Sequence, residues 1–197
     1  MADSFDYKFQ LNICGSEQAG KKSFAVRILY DIFSDSCFSS LAPTPTIVEV
    51  ENVKFRVTLL VNSATPDRFR DPYAPYVLLS HKMAVAIICD VMNRKSFEYA
   101  QKVLDEFAEY GNKKCLKFII CSKSDNIDPS AQAVSFAEID EVASTHTATV
   151  FRVSSKTGDN VKECLEQIAR KSAEISGVSL APPKQHEPDN ANLIHGF

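Results

Sequence analysis

Residues Met83 to Cys89 read Met-Ala-Val-Ala-Ile-Ile-Cys, an unbroken apolar run too short for an ordinary helix. A strand with one face in water alternates apolar and polar residues, so this one must be buried on both faces. That condition is met in the middle of a sheet covered by helices on either side. The rest of the chain fits it, because short strand-like runs alternate with stretches of helical period. Lys8–Cys14 alternates apolar and polar as a strand, and 22–33 follows with Phe24, Ile28, Leu29 and Ile32 at helical spacing. Ile47–Glu51 and Phe55–Val61 alternate around Glu51-Asn52-Val53-Lys54, which predicts an antiparallel hairpin. After the apolar strand, Asn93 is placed to cap a helix with the stripe Phe97, Ala100, Leu104 and Phe107, and Gly111 to end it. Leu116–Cys121 reads as a strand, and Ser135 with Glu138 forms a capping box for a helix through Ala143. Thr149–Val153 is the last strand. The last helix runs from Asn160 to Ile175, with Val161, Leu165, Ile168 and Ile175 on one face. A helix between the third and fourth strands is only weakly marked. The order predicts an α/β domain: six strands, mostly parallel with one antiparallel edge strand, and helices on both faces. Ligands of such sheets sit at the carboxyl ends of the strands. The domain spans residues 1–175, and 176–197, polar and without period, is expected to be a flexible tail.

The first strand runs into Gly15-Ser16-Glu17-Gln18-Ala19-Gly20-Lys21-Lys22-Ser23. The phosphate-loop pattern is Gly, four residues, Gly, Lys, then Ser or Thr. Its glycines let backbone N–H groups wrap phosphates, its lysine neutralises their charge, and its hydroxyl ligates magnesium. Gly15, Gly20 and Lys21 match. The hydroxyl position holds Lys22. Ser23 comes one residue late, turned about 100° around the helix, and cannot simply take over. Glu17 and Gln18 stand where small residues are usual. A carboxylate there repels a γ-phosphate by ~1 kcal/mol at about 4 Å in water, and by more in a drier site.

These residues, with three later segments, resemble the Ras superfamily, and its Rab branch in particular, over roughly residues 6–175. Asn62-Ser63-Ala64-Thr65-Pro66-Asp67-Arg68-Phe69-Arg70 is similar to the family's Asp-Thr-Ala-Gly-Gln-Glu-Arg-Phe-Arg segment. The resemblance gives that segment an aspartate that supports magnesium from behind its direct ligands, a glycine whose N–H reaches the γ-phosphate and a glutamine that orients the attacking water. Here those positions are Asn62, Thr65 and Pro66. Ser122-Lys123-Ser124-Asp125 resembles Asn-Lys-x-Asp, in which the aspartate pairs with guanine N–H groups and the lysine packs over the base. Ser154-Ser155-Lys156 resembles the Ser-Ala-Lys loop, whose backbone N–H groups reach guanine O6. The separations agree: 41 residues from Lys21 to Asn62, 60 on to Ser122 and 32 on to Ser154. Asp90-Val91 also fits the family's pattern at the end of the apolar strand.

The resemblance therefore implies a nucleotide site of Gly15, Gln18, Ala19, Gly20, Lys21, Lys22, Ser23, Ser122, Lys123, Asp125, Ser154, Ser155 and Lys156. GTP or GDP is the candidate ligand, magnesium is weak or absent, and no catalytic or metal-binding residue is assigned. The family's magnesium-binding threonine of switch I has three candidate counterparts. Pro45-Thr46-Ile47 offers Thr46 by local motif, whereas a gapless count lands on Ser39 or Ser40 and puts Pro43 and Pro45 on the second strand. Prolines are tolerated there if that strand is a sheet edge.

Two functions follow as expectations. One is a pseudo-GTPase: the fold serving as a protein-interaction module in trafficking or a related assembly, with weak or absent hydrolysis. The other is a slow guanine-nucleotide-dependent switch, in which the Lys22 ammonium stands in for the metal. Partners would dock on the switch-like segments 35–52 and 62–80, which carry Phe38, Leu41, Phe69, Tyr73, Tyr76, Val77 and Leu78. With net charge −3 and a sequence pI of about 5.8, nucleic acid is not an expected partner. Hydrophobic residues at 45% and charged residues at 24% suit a soluble domain with a real core. The six cysteines form no Cys-x-x-Cys pair, so a zinc site is not expected, and reduced thiols in the cytoplasm are. Of the four histidines, His81, His146, His186 and His195, none carries a local catalytic signature. The acidic start lacks the apolar stretch of a signal peptide, and Ala2 rules out N-myristoylation. No cysteine follows Cys164 and the tail is not polybasic. The expectation is no direct lipid anchor, with membranes reached only through partners.

Overall fold

In the computed structural model, the residues described are 4–34, 41–62, 83–110, 115–126, 132–178 and 180. They form six strands, β1 (Tyr7–Gly15), β2 (Thr44–Val50), β3 (Val53–Val61), β4 (Met83–Asp90), β5 (Leu116–Ser122) and β6 (Thr149–Arg152). Four α-helices are described, α1 (Lys21–Tyr30), α2 (Arg94–Tyr110), α3 (Phe136–Thr145) and α4 (Val161–Ile175). The sheet order is β2-β3-β1-β4-β5-β6, with every pair parallel except β2–β3. This is the six-stranded, mostly parallel sheet with one antiparallel edge strand expected from the sequence.

The uniformly apolar β4 lies between β1 and β5, and its side chains divide by period two. Ala84, Ala86 and Ile88 join Phe24 and Ala25 of α1 and Leu165, Ile168 and Ala169 of α4 in one core layer. Val85, Ile87 and Cys89 join Phe97, Leu104 and Phe107 of α2 and Ile139 of α3 in the other. Burying both faces at once gives the sheet its rigidity, and the strand ends inherit it as a platform for loops.

The hairpin between β2 and β3 is tighter than expected. Val50 pairs with Val53, so Glu51 and Asn52 alone make the turn, both with positive φ, at 51° and 66°. Val53 and Lys54 belong to the strand. Two residues in the left-handed region match the right-handed twist of paired strands. Helix α1 is shorter than its periodicity suggested. Asp31 takes a left-handed conformation (φ 52°) and closes the helix by donating its N–H to the Arg27 carbonyl, 3.0 Å. Ile32, read as part of the buried stripe, lies beyond that cap and is 49% exposed.

Other local signals match. Asn93 Oδ1 accepts the Lys95 N–H at 3.1 Å, and the Ser135–Glu138 capping box is complete. Pro45 sits on β2, the edge strand, where a missing N–H costs no ladder bond on the open side. Val178 and Leu180, just past α4, pack against the α1–α4 core layer. Gly111, the weakly marked helix between β3 and β4, and residues 181–197 lie outside the described residues.

Candidate functional site

Among the described residues the buried polar side chains are Asn12, Asp90, Ser96, Ser122, Ser154, Ser155 and Ser172. All but Ser172 gather at or beside the carboxyl ends of β1, β4, β5 and β6. Burying polar atoms is costly unless they are bonded, so such a concentration marks where this fold spends stability on a site.

The phosphate loop starts at Gly15, which is forced to be glycine. Its φ is 149°, and a Cβ there would stand 2.5 Å from the Ile88 carbonyl oxygen on β4. The loop then turns through Gln18 (φ 59°) and Gly20 (φ 100°), with Ala19 buried between them. Gly20 caps α1, its carbonyl accepting the Phe24 N–H at 2.9 Å. Lys21 is the first helical residue, and its ammonium bends back to the carbonyls of Gly15 (2.9 Å) and Ser16 (2.5 Å). A cation thus sits across the loop at the N-terminus of a helix with no acid in its first turn. Both features favour an anion.

The metal end differs. Lys22 is the second residue of α1 and Ser23 the third. Asn62, just past β3, donates its backbone N–H to Ile13 O at 3.0 Å, and its side-chain amide donates to Asn12 Oδ1. Magnesium takes hard oxygen ligands, carboxylates above all. An ammonium at Lys22 and an amide bonded to a neighbouring strand at Asn62 do not make that donor set. Thr46 is no substitute. It pairs with Val57, which pairs with Phe9, and Gly15 lies six residues further along β1. At about 3.3 Å per residue that places Thr46 roughly 20 Å below the loop. The other candidates, Ser39 and Ser40, lie outside the described residues, as do Thr65, Pro66, Phe38, Phe69, Tyr73, Tyr76, Val77 and Leu78.

The base end is built from β5 and β6. Ser122, buried at the end of β5, donates its hydroxyl to Ala19 O at 2.7 Å and so ties the phosphate loop to the base motif. Lys123 has φ 60°, and its ammonium meets Asp90 Oδ2 at 2.6 Å. Asp90 Oδ1 accepts the Met92 N–H at 3.0 Å. Its own N–H donates to Ser96 Oγ, 3.0 Å, and Ser16 of the phosphate loop donates to that same hydroxyl at 3.0 Å. Asp125 sits in a 3-10 turn, Ser124–Asn126, and its Oδ1 accepts the Ser154 hydroxyl at 2.6 Å. The Ser124 N–H donates to Val153 O, 3.1 Å, locking the two base loops side by side. Ser155 is 7% exposed, and its Oγ is buried without a hydrogen-bond partner among the described residues. Lys156 is exposed.

The structure therefore brings Gly15, Ala19, Gly20, Lys21, Ser122, Lys123, Asp125, Ser154 and Ser155 to one end of the sheet. Sequence reasoning missed Asn12, Ser16, Ser96 and Arg27. Asn12 carried no signal, because it falls on the polar phase of an alternating strand with Lys8 and Gln10. Ser96 and Arg27 carried none, since a serine and an arginine on a helix read as solvated. A separate cleft of about 290 Å³ lies between α2 and α3, lined among others by Arg94, Asp105, Glu138 and His146, and holds no residue of these motifs.

Compared with known proteins, residues 10–174 match the model of the Ras family. The chain is similar to "GTP-binding protein YPTM1" of Zea mays, 28% identical over 165 residues, covering 83% of this chain and 77% of that protein. It is similar to "Ras-related protein Rab-1" of Theileria annulata, 27% identical over 171 residues, covering 84% and 74%. It is also similar to "Ras-related protein Rab-13" of Mesocricetus auratus, 26% identical over 171 residues, covering 86% and 82%.

Proposed function

Since the chain belongs to the Ras family, as a Rab-like small GTPase by its relatives, we propose that it is a degenerate member, a guanine-nucleotide-binding protein with weak or absent hydrolysis. It acts as a protein-interaction module in trafficking or a related assembly. The observation that carries this reading is the Asn62–Asn12 amide pair, standing with Lys22 where a carboxylate and a hydroxyl would support magnesium. Phosphoryl transfer depends on the metal and on a positioned water for charge stabilisation. With Pro66 in place of the water-orienting glutamine, this chain has neither support. Guanine is the expected base, because Asp125 and the Ser154–Lys156 loop match the family's base motifs in sequence, and the names of two relatives give them as Rab proteins and a third as GTP-binding.

Protein partners would dock on 35–52 and 62–80. Ile47 within the first of these and Ile32 and Phe33 just before it are exposed apolar residues, which suits anchoring. The reading includes no nucleic-acid partner and has the protein work in the cytoplasm, meeting membranes through partners. No described helix is long and apolar enough to cross a membrane. A second reading, a slow nucleotide-dependent switch, is favoured by the Lys21 ammonium, held on the loop as phosphate neutralisation requires.

Single-turnover GTP hydrolysis with and without magnesium separates the two. The pseudo-GTPase reading expects phosphate release no faster than in buffer alone. Magnesium-dependent release above background, abolished by Lys21→Ala, would establish the switch instead.

A further inference from the structure

Arg27 lies on α1, the helix that opens with the phosphate lysine, and its side chain is only 13% exposed. Its guanidinium reaches across to the base loop. Nε donates to Ser155 O at 2.8 Å and one terminal nitrogen to Lys156 O at 2.8 Å. The other terminal nitrogen is anchored at home, on Asp31 O at 2.9 Å and Asp31 Oδ1 at 3.1 Å. Two successive carbonyls of the loop are thus gripped by one planar, rigid group.

A trans peptide is planar, so its N–H points opposite to its C=O. Holding Ser155 O against α1 turns the Lys156 N–H away from α1, and holding Lys156 O does the same to the Thr157 N–H. The second consequence is visible, because Thr157 N–H donates to Ser154 Oγ at 3.1 Å, and that hydroxyl donates to Asp125 Oδ1. Arg27 is therefore linked to the carboxylate expected to read the base through three hydrogen bonds and one peptide unit. Gly158 ends the loop beside the guanidinium with φ 89°, a conformation that favours glycine.

We propose that Arg27 is the positioning residue for base recognition. Gripped from behind by its guanidinium, the loop presents N–H groups to the keto oxygen of a purine and holds Asp125 in register beside them. Because Arg27 and Lys21 share one helix, the grip also joins the base end of the site to its phosphate end. This inference rests on the guanine-nucleotide reading, and its test keeps the two apart.

The full chain and its Arg27→Gln and Arg27→Lys variants are titrated with GDP and with 6-thio-GDP, whose sulfur is a weaker acceptor at the position of O6. The parent protein should prefer GDP. Arg27→Gln should weaken GDP about ten- to hundredfold, the size of one lost charge-assisted hydrogen bond. It should weaken 6-thio-GDP less, since only the contact to O6 distinguishes the two, so that the preference shrinks, and Arg27→Lys should restore part of it. A general folding defect would weaken both nucleotides alike, and an unchanged preference overturns the proposal. Amide hydrogen exchange without nucleotide reads the grip independently. The Thr157 N–H should exchange at least tenfold faster in Arg27→Gln while the amides of β1, β4 and α4 keep their protection. Unchanged exchange at Thr157 overturns the grip whatever the nucleotide titrations show. Faster exchange at Thr157 in Arg27→Gln, with a parent protein that binds no guanine nucleotide, supports the grip and overturns the nucleotide reading alone.

Discussion

Ser122 is a small residue in a position where the family uses asparagine, and it ties two loops of the site together. Its hydroxyl reaches Ala19 O at 2.7 Å across buried space, and Cys89 O lies at 3.4 Å. Removing the hydroxyl would leave a buried carbonyl without its donor, at about 1–3 kcal/mol. Ser122→Ala should lower the free energy of unfolding by that amount in a urea titration, and should weaken phosphate-loop ligands more than it weakens the fold. A midpoint unchanged within error would mean the loop is held by other contacts. Arg27 shows why single residues of a site escape sequence reading. Its spacing to Asp31 is that of an ordinary helix-surface ion pair, and nothing local reveals that a loop from near the other end of the chain folds over it.

At the scale of elements, β4 and β5 lie in register with Cys89 beside Cys121. Burial pushes both thiols up to about 12, with neighbouring negative charge from Asp90 adding to it at Cys89. An unfolded thiol titrates near pH 8.5. Below that pH both states keep the proton and the full stability is present. Above it the unfolded chain loses protons that the folded one retains, so stability falls as pH rises from about 9 toward 12. The slope approaches about 1.4 kcal/mol per pH unit for each thiol. Urea unfolding at pH 8, 9 and 10 should show this loss, and a Cys89→Ala, Cys121→Ala double variant should lose only part of the slope, because burial raises Cys115 and Cys164 as well. Rapid reaction of these thiols with a disulfide reagent in the folded protein at pH 8 would contradict their burial. The strands were legible because period two and unbroken apolar runs are properties of the strand itself. The end of α1 was not, because the left-handed turn at Asp31 uses no glycine to announce it, and the apolar period runs on through Ile32. The hairpin's two-residue turn was partly legible in Asn52, a residue that tolerates positive φ.

For the whole molecule, the platform could be read from the periodicity, and the base end was implied by the resemblance of two loops to the family's motifs, which the sheet returns to one edge after β5 and β6. The links between them could not, because Ser16–Ser96–Asp90 and Arg27–Ser155 join segments distant in sequence. The resulting site has two unequal halves. On the proposed reading, its base half carries an aspartate held by Ser154, and its phosphate half carries Lys21 with, among the described residues, Lys22 and Asn62 where a hydroxyl and a carboxylate would support magnesium. Nucleotide affinity should then come from base and phosphate contacts, with the metal contributing little. Titration of the full chain with GDP, GTP and ATP, with and without EDTA, tests this most directly. The account predicts that the guanine nucleotides bind, that EDTA shifts their affinity by less than about threefold, under about 0.7 kcal/mol, and that ATP does not compete. Equal affinity for ATP and GTP, or loss of all binding in EDTA, would contradict it.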